Sequence, residues 1–320
     1  MECGVNLPPR VIVVAGPTAS GKTALGIELA KEYNGEIVSA DSMQIYRGMD
    51  IGTAKATAAE LAEVPHHMID VADPRQAWSV SHYVEEAARV CDGLIERGKI
   101  PVIVGGTGLY IDSLLSGRDF AETQEDKELR QKLSEEYDAL GAETMWERLS
   151  KIDPERAAKL APTDKRRILR AIEIFELTGE TITAHDEKTK RIPPRYDAKY
   201  IVLSFKDRAD LYERIEKRVD LMLEQRLVDE VKRLLESGLS AESTAMQAIG
   251  YKEIAAALAG DMSMDEAVDL IKQSSRRYAK RQITWFARRE DALRIIWDKT
   301  PDMEYARQVS RDFLMTSALI

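Results

Sequence analysis

Cysteine is nearly absent, with only Cys3 and Cys91 in 320 residues. That excludes a disulfide framework and a paired Cys-x-x-Cys metal knuckle, and it predicts a reduced, cytoplasmic compartment. No apolar run approaches the roughly 18 residues of a membrane span. The first nine residues include acidic Glu2 and lack a basic segment leading into an apolar one, so an untargeted chain with no membrane partner is expected. Positive charge is not in excess either: 46 Lys and Arg face 55 Asp and Glu, a net charge of -9. This argues against indiscriminate polyanion binding by the whole surface. Internal repeats and low-complexity tracts are also missing. What remains is an ordinary globular composition, 44% hydrophobic and 32% charged, in a chain long enough to predict two packed units rather than one core.

The apolar runs that do occur are short. Val11–Ala15 (VIVVA), a run from Ile37 and Val38 to Asp41, Pro101–Val104 (PVIV), Tyr200–Phe205 (YIVLSF) and Leu293–Trp297 (LRIIW) each suit a strand. The first is apolar enough to be buried on both faces. Lys22–Tyr33 reads as a helix, with Leu25, Leu29 and Ala30 at helical spacing. Strands alternating with helices predict an α/β fold around a parallel sheet. Between about Glu122 and Pro194 the strand-like runs stop. Leu129, Leu133 and Tyr137, then Ile168, Ile172, Ile174 and Phe175 ahead of Gly179, step with helical periodicity. This segment is expected to be an all-α insertion that closes in the polar stretch His185–Lys190 and Pro193-Pro194. The predicted division is residues 1–121 and 196–320 as the core, the second part carrying a basic helix, with 122–195 inserted.

Gly16-Pro17-Thr18-Ala19-Ser20-Gly21-Lys22-Thr23 fits the phosphate-loop pattern G-x-x-x-x-G-K-[ST] between a strand and a helix, the context that gives it meaning. Successive backbone N–H groups form an anion nest, the helix N-terminus adds partial positive charge, Lys22 reaches phosphate oxygens, and the Thr23 hydroxyl suits Mg²⁺. The loop predicts a phosphate chain, not a nucleotide as such. A hydrolase would add a Walker B carboxylate at a strand end. Here PVIV runs into Gly105-Gly106-Thr107-Gly108 instead, and an Asn-Lys-x-Asp base-recognition signature is absent.

The carboxylate that does follow a strand is Asp41, at the end of the sheet where α/β folds build their sites. It reads as a general base or an outer-sphere Mg²⁺ partner, or else as a helix cap. Gly105–Gly108 permits close approach of backbone to a ligand, with Thr107 as donor and acceptor, or is simply a turn. His66-His67 reads as an ordinary histidine pair, because neighbours do not share a helical face and no third ligand is spaced nearby; His82 and His185 are isolated. Two basic clusters stand out: Lys165–Arg170 (KRRILR), and Arg276–Arg289, which holds six basic and no acidic residues. Together with a phosphate-binding core they favour an RNA partner. Tyr278, Trp285 and Phe286, at helical spacing, read as core aromatics rather than as a base-stacking platform.

These residues resemble the tRNA dimethylallyltransferases, also called tRNA isopentenyltransferases, through nearly the whole chain. The likeness is carried by GPTASGKT at Gly16–Thr23, DSMQIYRGMDIGTAK at Asp41–Lys55, VPHHMID at Val64–Asp70 and GGTGLY at Gly105–Tyr110. DKRRILRAIEI at Asp164–Ile174, QAIGYKE at Gln247–Glu253 and RRYAKRQITWF at Arg276–Phe286 extend it. The resemblance implies a P-loop NTPase-like core and transfer of a dimethylallyl group from dimethylallyl diphosphate to N6 of adenosine 37, in tRNAs reading codons that begin with U. It implies that Gly16–Thr23 hold the diphosphate with Mg²⁺ at Thr23, that Lys22 and Arg218 assist its departure, that Asp41 is the base, and that Thr107 orients the acceptor. Its tRNA contacts fall on Asp41, Ser42, Met43, Gln44, Thr107 and Arg130, and on Lys165, Arg166, Arg167, Ile168 and Leu169. They continue over Gln247, Ala248, Ile249, Gly250, Tyr251 and Lys252, and over Arg276, Arg277, Lys280, Arg281 and Gln282. A monomer binding the anticodon stem-loop is expected. Two rivals stand beside this reading: a small-molecule kinase with ATP on the loop, and an RNA-binding protein without chemistry.

Overall fold

Alternation along the first strand sets up both faces of the core in the computed structural model, which describes residues 8–117 and 126–316. In Arg10–Ala15 (β1), Val11 and Val13 join one apolar cluster while Ile12 and Val14 join another, as the two-residue period of a strand dictates. The other strands are Gly35–Ala40 (β2), His66–His67 (β3), Ile100–Gly105 (β4), Asp197–Phe205 (β5) and Leu293–Trp297 (β6). They form one sheet in the order β3-β2-β4-β1-β5-β6 with every pairing parallel. The helix Lys22–Glu32 packs Leu25 and Leu29 on the Ile12 face. Helix Val80–Glu96 packs Tyr83, Ala87, Cys91 and Leu94 on the Val11 face.

The chain divides into a sheet unit, residues 1–115 and 194–320, and a helical unit, residues 116–193. In the helical unit, helices Lys127–Leu140, Ala142–Ile152 and Lys165–Thr178 enclose Leu133, Met145, Leu149, Ile168 and Ile172. Gly179 ends the last of these in the left-handed conformation, φ +71°. The polar stretch His185–Lys190 is not a boundary loop. It belongs to helix Ile182–Lys190, started by Thr181 accepting from the Ala184 N–H and anchored by Asp153, which accepts from the Thr183 N–H at 3.0 Å and hydroxyl at 2.6 Å. A cap and a distant carboxylate make this helix, and neither shows in apolar periodicity.

Five strands lie where apolar runs predicted them. β3 does not: its two histidines pair with Ile37 and Val38 of β2, and only that neighbour defines them as a strand. His67 Nε2 lies 2.7 Å from the Glu36 carboxylate and His66 Nδ1 lies 2.8 Å from the Val64 carbonyl. No helix among the described residues is long and apolar enough to cross a membrane. Cys3 and the 121/122 boundary lie outside the described residues. Cys91 is buried, which pushes its thiol up to about 12 and leaves it unreactive.

Candidate active site

Three strand ends converge on the site. Gly16 follows β1, Asp41 follows β2 and Gly106-Thr107 follow β4, at the crevice between β1 and β4 where the strand order reverses. Gly16 has φ +146°, and a Cβ there would lie 2.5 Å from the Leu203 carbonyl oxygen of β5. Only glycine lets the loop leave the sheet this closely. The loop is then braced from three sides. Trp297 Nε1 donates to the Ser20 carbonyl at 3.0 Å, Arg214 Nε to the Ala19 carbonyl at 3.1 Å, and Arg218 reaches the Thr18 hydroxyl at 3.5 Å. Gln282, 4% exposed, accepts from the Thr18 N–H at 2.9 Å and donates to the Gly106 carbonyl at 3.0 Å, so one amide ties the phosphate loop to the glycine turn.

Lys22 Nζ donates to the Pro17 carbonyl at 2.6 Å. Burial and the nearby Arg218 guanidinium push its ammonium down to about 7, against the opposing pull of Asp41. Burial also lowers Arg218, with Asp41 again opposing and Arg214 adding to the fall. Two cations are thus held close together where neither is fully compensated by protein, which is the electrostatic signature of an anion site.

Asp41 caps a turn rather than a helix, and it also lines the site. Its Oδ1 accepts from the Met43 N–H at 2.9 Å and the Gln44 N–H at 3.4 Å, capping the turn. The side chain also lines two adjoining cavities. One, about 80 Å³, carries Thr18, Lys22, Thr23, Gly105 and Gly106. The other, about 260 Å³, carries Ser42, Met43, Gln247–Gly250 and Arg281. Thr18, Asp41, Thr53, Ala54, Arg218 and Tyr278 belong to both. Thr107 stands beside them, its hydroxyl accepting from the Ser42 N–H at 3.2 Å. A third cavity, about 570 Å³, opens on the outer side of the loop between Ala19–Ala24, Arg214 and Arg218.

Tyr278 is the site residue that sequence spacing misplaced. Of the three aromatics read as core, only Phe286 is, at 1% exposure. Trp285 is 38% exposed and donates to Asp112 at 2.9 Å. Helix Met264–Phe286 buries Ala279, Gln282 and Phe286, and this rotation turns Tyr278 into the cavity walls. Burial, then Asp41, push its phenol up to about 12 although Thr107 and Gln282 lie beside it, so it is a neutral hydroxyl at ordinary pH.

The positions carried over as RNA contacts separate by exposure. Arg166 and Arg167 are exposed, whereas Ile168 and Leu169 are core residues of the helical unit whose side chains are unavailable to RNA. Lys165 pairs with Asp138 at 2.6 Å, and Arg130 with buried Glu173 at 3.0 Å. Gln247 and Lys252 are exposed, Ile249 is half-buried, and Ala248, Gly250 and Tyr251 are buried. Arg277, Lys280 and Arg281 are exposed along one helix, while Arg276 pairs with Glu216 and Gln282 is spent on the loops. Among the described residues no group of three or more His, Cys, Asp or Glu side chains is placed to hold a metal ion.

A parallel sheet with a glycine-lysine loop at its crevice, two cations over the loop and a carboxylate facing both cavities defines a phosphate-loop α/β protein. The IPP transferase model matches residues 44–290 and the Isopentenyl transferase model residues 9–73. The chain is 48% identical over 278 residues to the tRNA dimethylallyltransferase of Thermoanaerobacter sp. (strain X514), covering 87% of this chain and 88% of that one. The solved tRNA isopentenylpyrophosphate transferase of Bacillus halodurans superposes with a TM-score of 0.71 at 38% identity, over 97% of this chain and 98% of that one. A eukaryotic dimethylallyltransferase solved acting on tRNA gives 0.81 at 30% identity, over 96% and 80%. The chain belongs to the IPP transferase family, the tRNA dimethylallyltransferases.

Proposed function

We propose that this protein transfers a dimethylallyl group from dimethylallyl diphosphate to N6 of adenosine 37, in the anticodon stem-loop of tRNAs reading codons that begin with U. The observation that supports this most is Asp41 in the walls of two adjoining cavities, one holding the phosphate loop and the other open toward Met43, Gln247 and Arg281. A single carboxylate there faces both a departing diphosphate and an incoming amine.

Breaking the allylic C–O bond leaves its electron pair on the diphosphate oxygen. Donors aimed at that oxygen favour the transition state over the ground state, and the N–H groups of Ala19–Thr23, with the Lys22 and Arg218 side chains, supply them. The Thr23 hydroxyl, beside Lys22 in the first cavity, fits Mg²⁺, an ion that takes few protein oxygens and completes its shell with phosphate and water. Bound there it would neutralise diphosphate charge. The adenine amine forms the new C–N bond and gives up a proton to Asp41, a general-base contribution of roughly 10² to 10⁴. Thr107 orients the acceptor. The adenine leaves its stack to reach the site, and the exposed Arg166, Arg167, Arg277, Lys280 and Arg281 take the RNA backbone. The enzyme works as a cytoplasmic monomer.

The test is nucleoside mass spectrometry of unmodified tRNA incubated with the protein, dimethylallyl diphosphate and Mg²⁺, with ATP omitted. One dimethylallyl unit gained on adenosine, and lost with Lys22→Ala, is the expected result. No gain across a mixed tRNA pool with folded protein would overturn the proposal and return the kinase reading.

A further inference from the structure

Glu230 lies on helix Leu227–Glu236 and is 1% exposed. Its carboxylate accepts the backbone N–H groups of Asp50 at 3.0 Å, Ile51 at 3.0 and 3.1 Å and Gly52 at 3.3 Å, and the Tyr251 phenol at 2.5 Å. Three consecutive backbone N–H groups converging on one anion make an anion-binding nest. Here the anion is part of the chain. A carboxylate so deeply buried persists only with donors on this scale.

The segment it holds is the wall that the cavities share. Gly52, Thr53 and Ala54 line the second cavity, Thr53, Ala54 and Ala56 the first, and Asp50, Ile51 and Lys55 the third. Ala54, left-handed at φ +50°, lines all three. The far end of the segment is fixed by Gln44 Nε2, which donates to the Thr53 and Ala54 carbonyls at 3.2 and 3.1 Å, and by Lys55 Nζ, which donates to the Tyr46 carbonyl at 2.7 Å. Packing seals the near end: a Cβ on Gly52 would lie 2.5 Å from the Tyr251 ring.

We propose that Glu230 acts as an internal anion that fixes residues 50–56 as the common wall of the donor and acceptor cavities. It is a positioning residue that touches neither substrate. This rests on the phosphate loop being a diphosphate site, and the test separates the two. Calorimetric titration of Mg²⁺ and inorganic diphosphate is run on the wild type, on Glu230→Ala and on Glu230→Gln, with formate or with chloride at equal ionic strength. Formate fits the space that Glu230→Ala leaves and supplies the missing anion. Losing the bonds that hold the wall lowers diphosphate affinity about fivefold or more in both variants. Formate, and not chloride, restores it in Glu230→Ala. Glu230→Gln keeps the volume but aims an amide N–H₂ at the donors, so it decides the matter if the alanine variant fails to fold. Wild-type affinity in a folded variant, or a loss in folded Glu230→Ala that formate leaves unchanged, overturns the inference. Failure of the wild type itself to bind diphosphate instead removes the loop reading and this inference with it.

Discussion

Lys22 titrates on ligand binding, and the size of the effect follows from its surroundings. Burial and Arg218 hold its ammonium near 7 in the free protein, so at pH 8 about nine tenths of it is neutral. A diphosphate seated on the loop brings at least two negative charges beside it and returns it toward the ordinary lysine value of about 10.4. Binding at pH 8 therefore takes up about 0.9 proton, and at pH 6, where the group is already charged, about 0.1. The sign is fixed by linkage. Affinity is lost as pH rises through 7, about fivefold between pH 7 and 8 and close to tenfold between 8 and 9. The ligand's own phosphate ionisation lies near 6 and does not contribute there. Calorimetry of dimethylallyl diphosphate at fixed Mg²⁺, in buffers of different ionisation enthalpy, reads the uptake directly. Tight binding at pH 8 with uptake near zero would refute the argument, because it would mean that Lys22 is charged before the ligand arrives.

The same burial predicts that Lys22→Met abolishes transfer yet raises the melting temperature. The unfolded chain binds more protons between about 7 and the lysine value, so the wild type gains stability as pH rises and the variant's advantage is larger at pH 6 than at pH 9; no such trend in thermal scans would count against it. Asp41→Asn keeps a capping oxygen for the Met43 N–H while removing the base, so single-turnover rates fall roughly 10² to 10⁴-fold with tRNA affinity unchanged, and an unaltered rate would remove Asp41 from the chemistry. Arg166→Glu with Arg167→Glu lowers tRNA affinity and reduces the slope of its logarithm against log salt by about 1.5 to 2. Adding Lys165→Glu changes the slope less than either arginine does, because Lys165 is already paired with Asp138; affinities unaltered from wild type at both low and high salt would clear the helical unit of an RNA role.

The sheet and the phosphate loop were legible because their signals are local. VIVVA needs no partner to announce a strand buried on both faces, and Gly16–Thr23 states its chemistry in eight residues. β3 was illegible because two residues carry no period, and only pairing with Ile37 and Val38 makes them a strand. Helix Ile182–Lys190 escaped because Asp153, about thirty positions away, anchors its first turn. Tyr278 escaped for a third reason: at helical spacing an aromatic residue can face core or cavity, and the spacing does not say which.

Two of the missed contributions nevertheless share a signal that the sequence does contain. In helix Leu227–Glu236 the buried stripe is Leu227, Glu230, Val231 and Leu234; in helix Met264–Phe286 it runs through Ile271, Ala279, Gln282 and Phe286. Each apolar stripe is interrupted by a single polar residue. A buried polar group is tolerated where a donor or acceptor elsewhere requires it, so each interruption points to backbone needing a partner. Glu230 spends its carboxylate on the N–H groups of residues 50–52, and Gln282 spends its amide on Thr18 and Gly106. Both targets are irregular segments outside the strands, with no ladder of their own to satisfy them. Glu173 marks the limit of the rule, because it interrupts the stripe of helix Lys165–Thr178 and pairs with Arg130 and Arg170 rather than with a loop. An acidic or amide residue on an apolar stripe is therefore a pointer to a distant polar partner, and whether that partner is backbone at a site or a charge on a neighbouring helix is decided only by the fold.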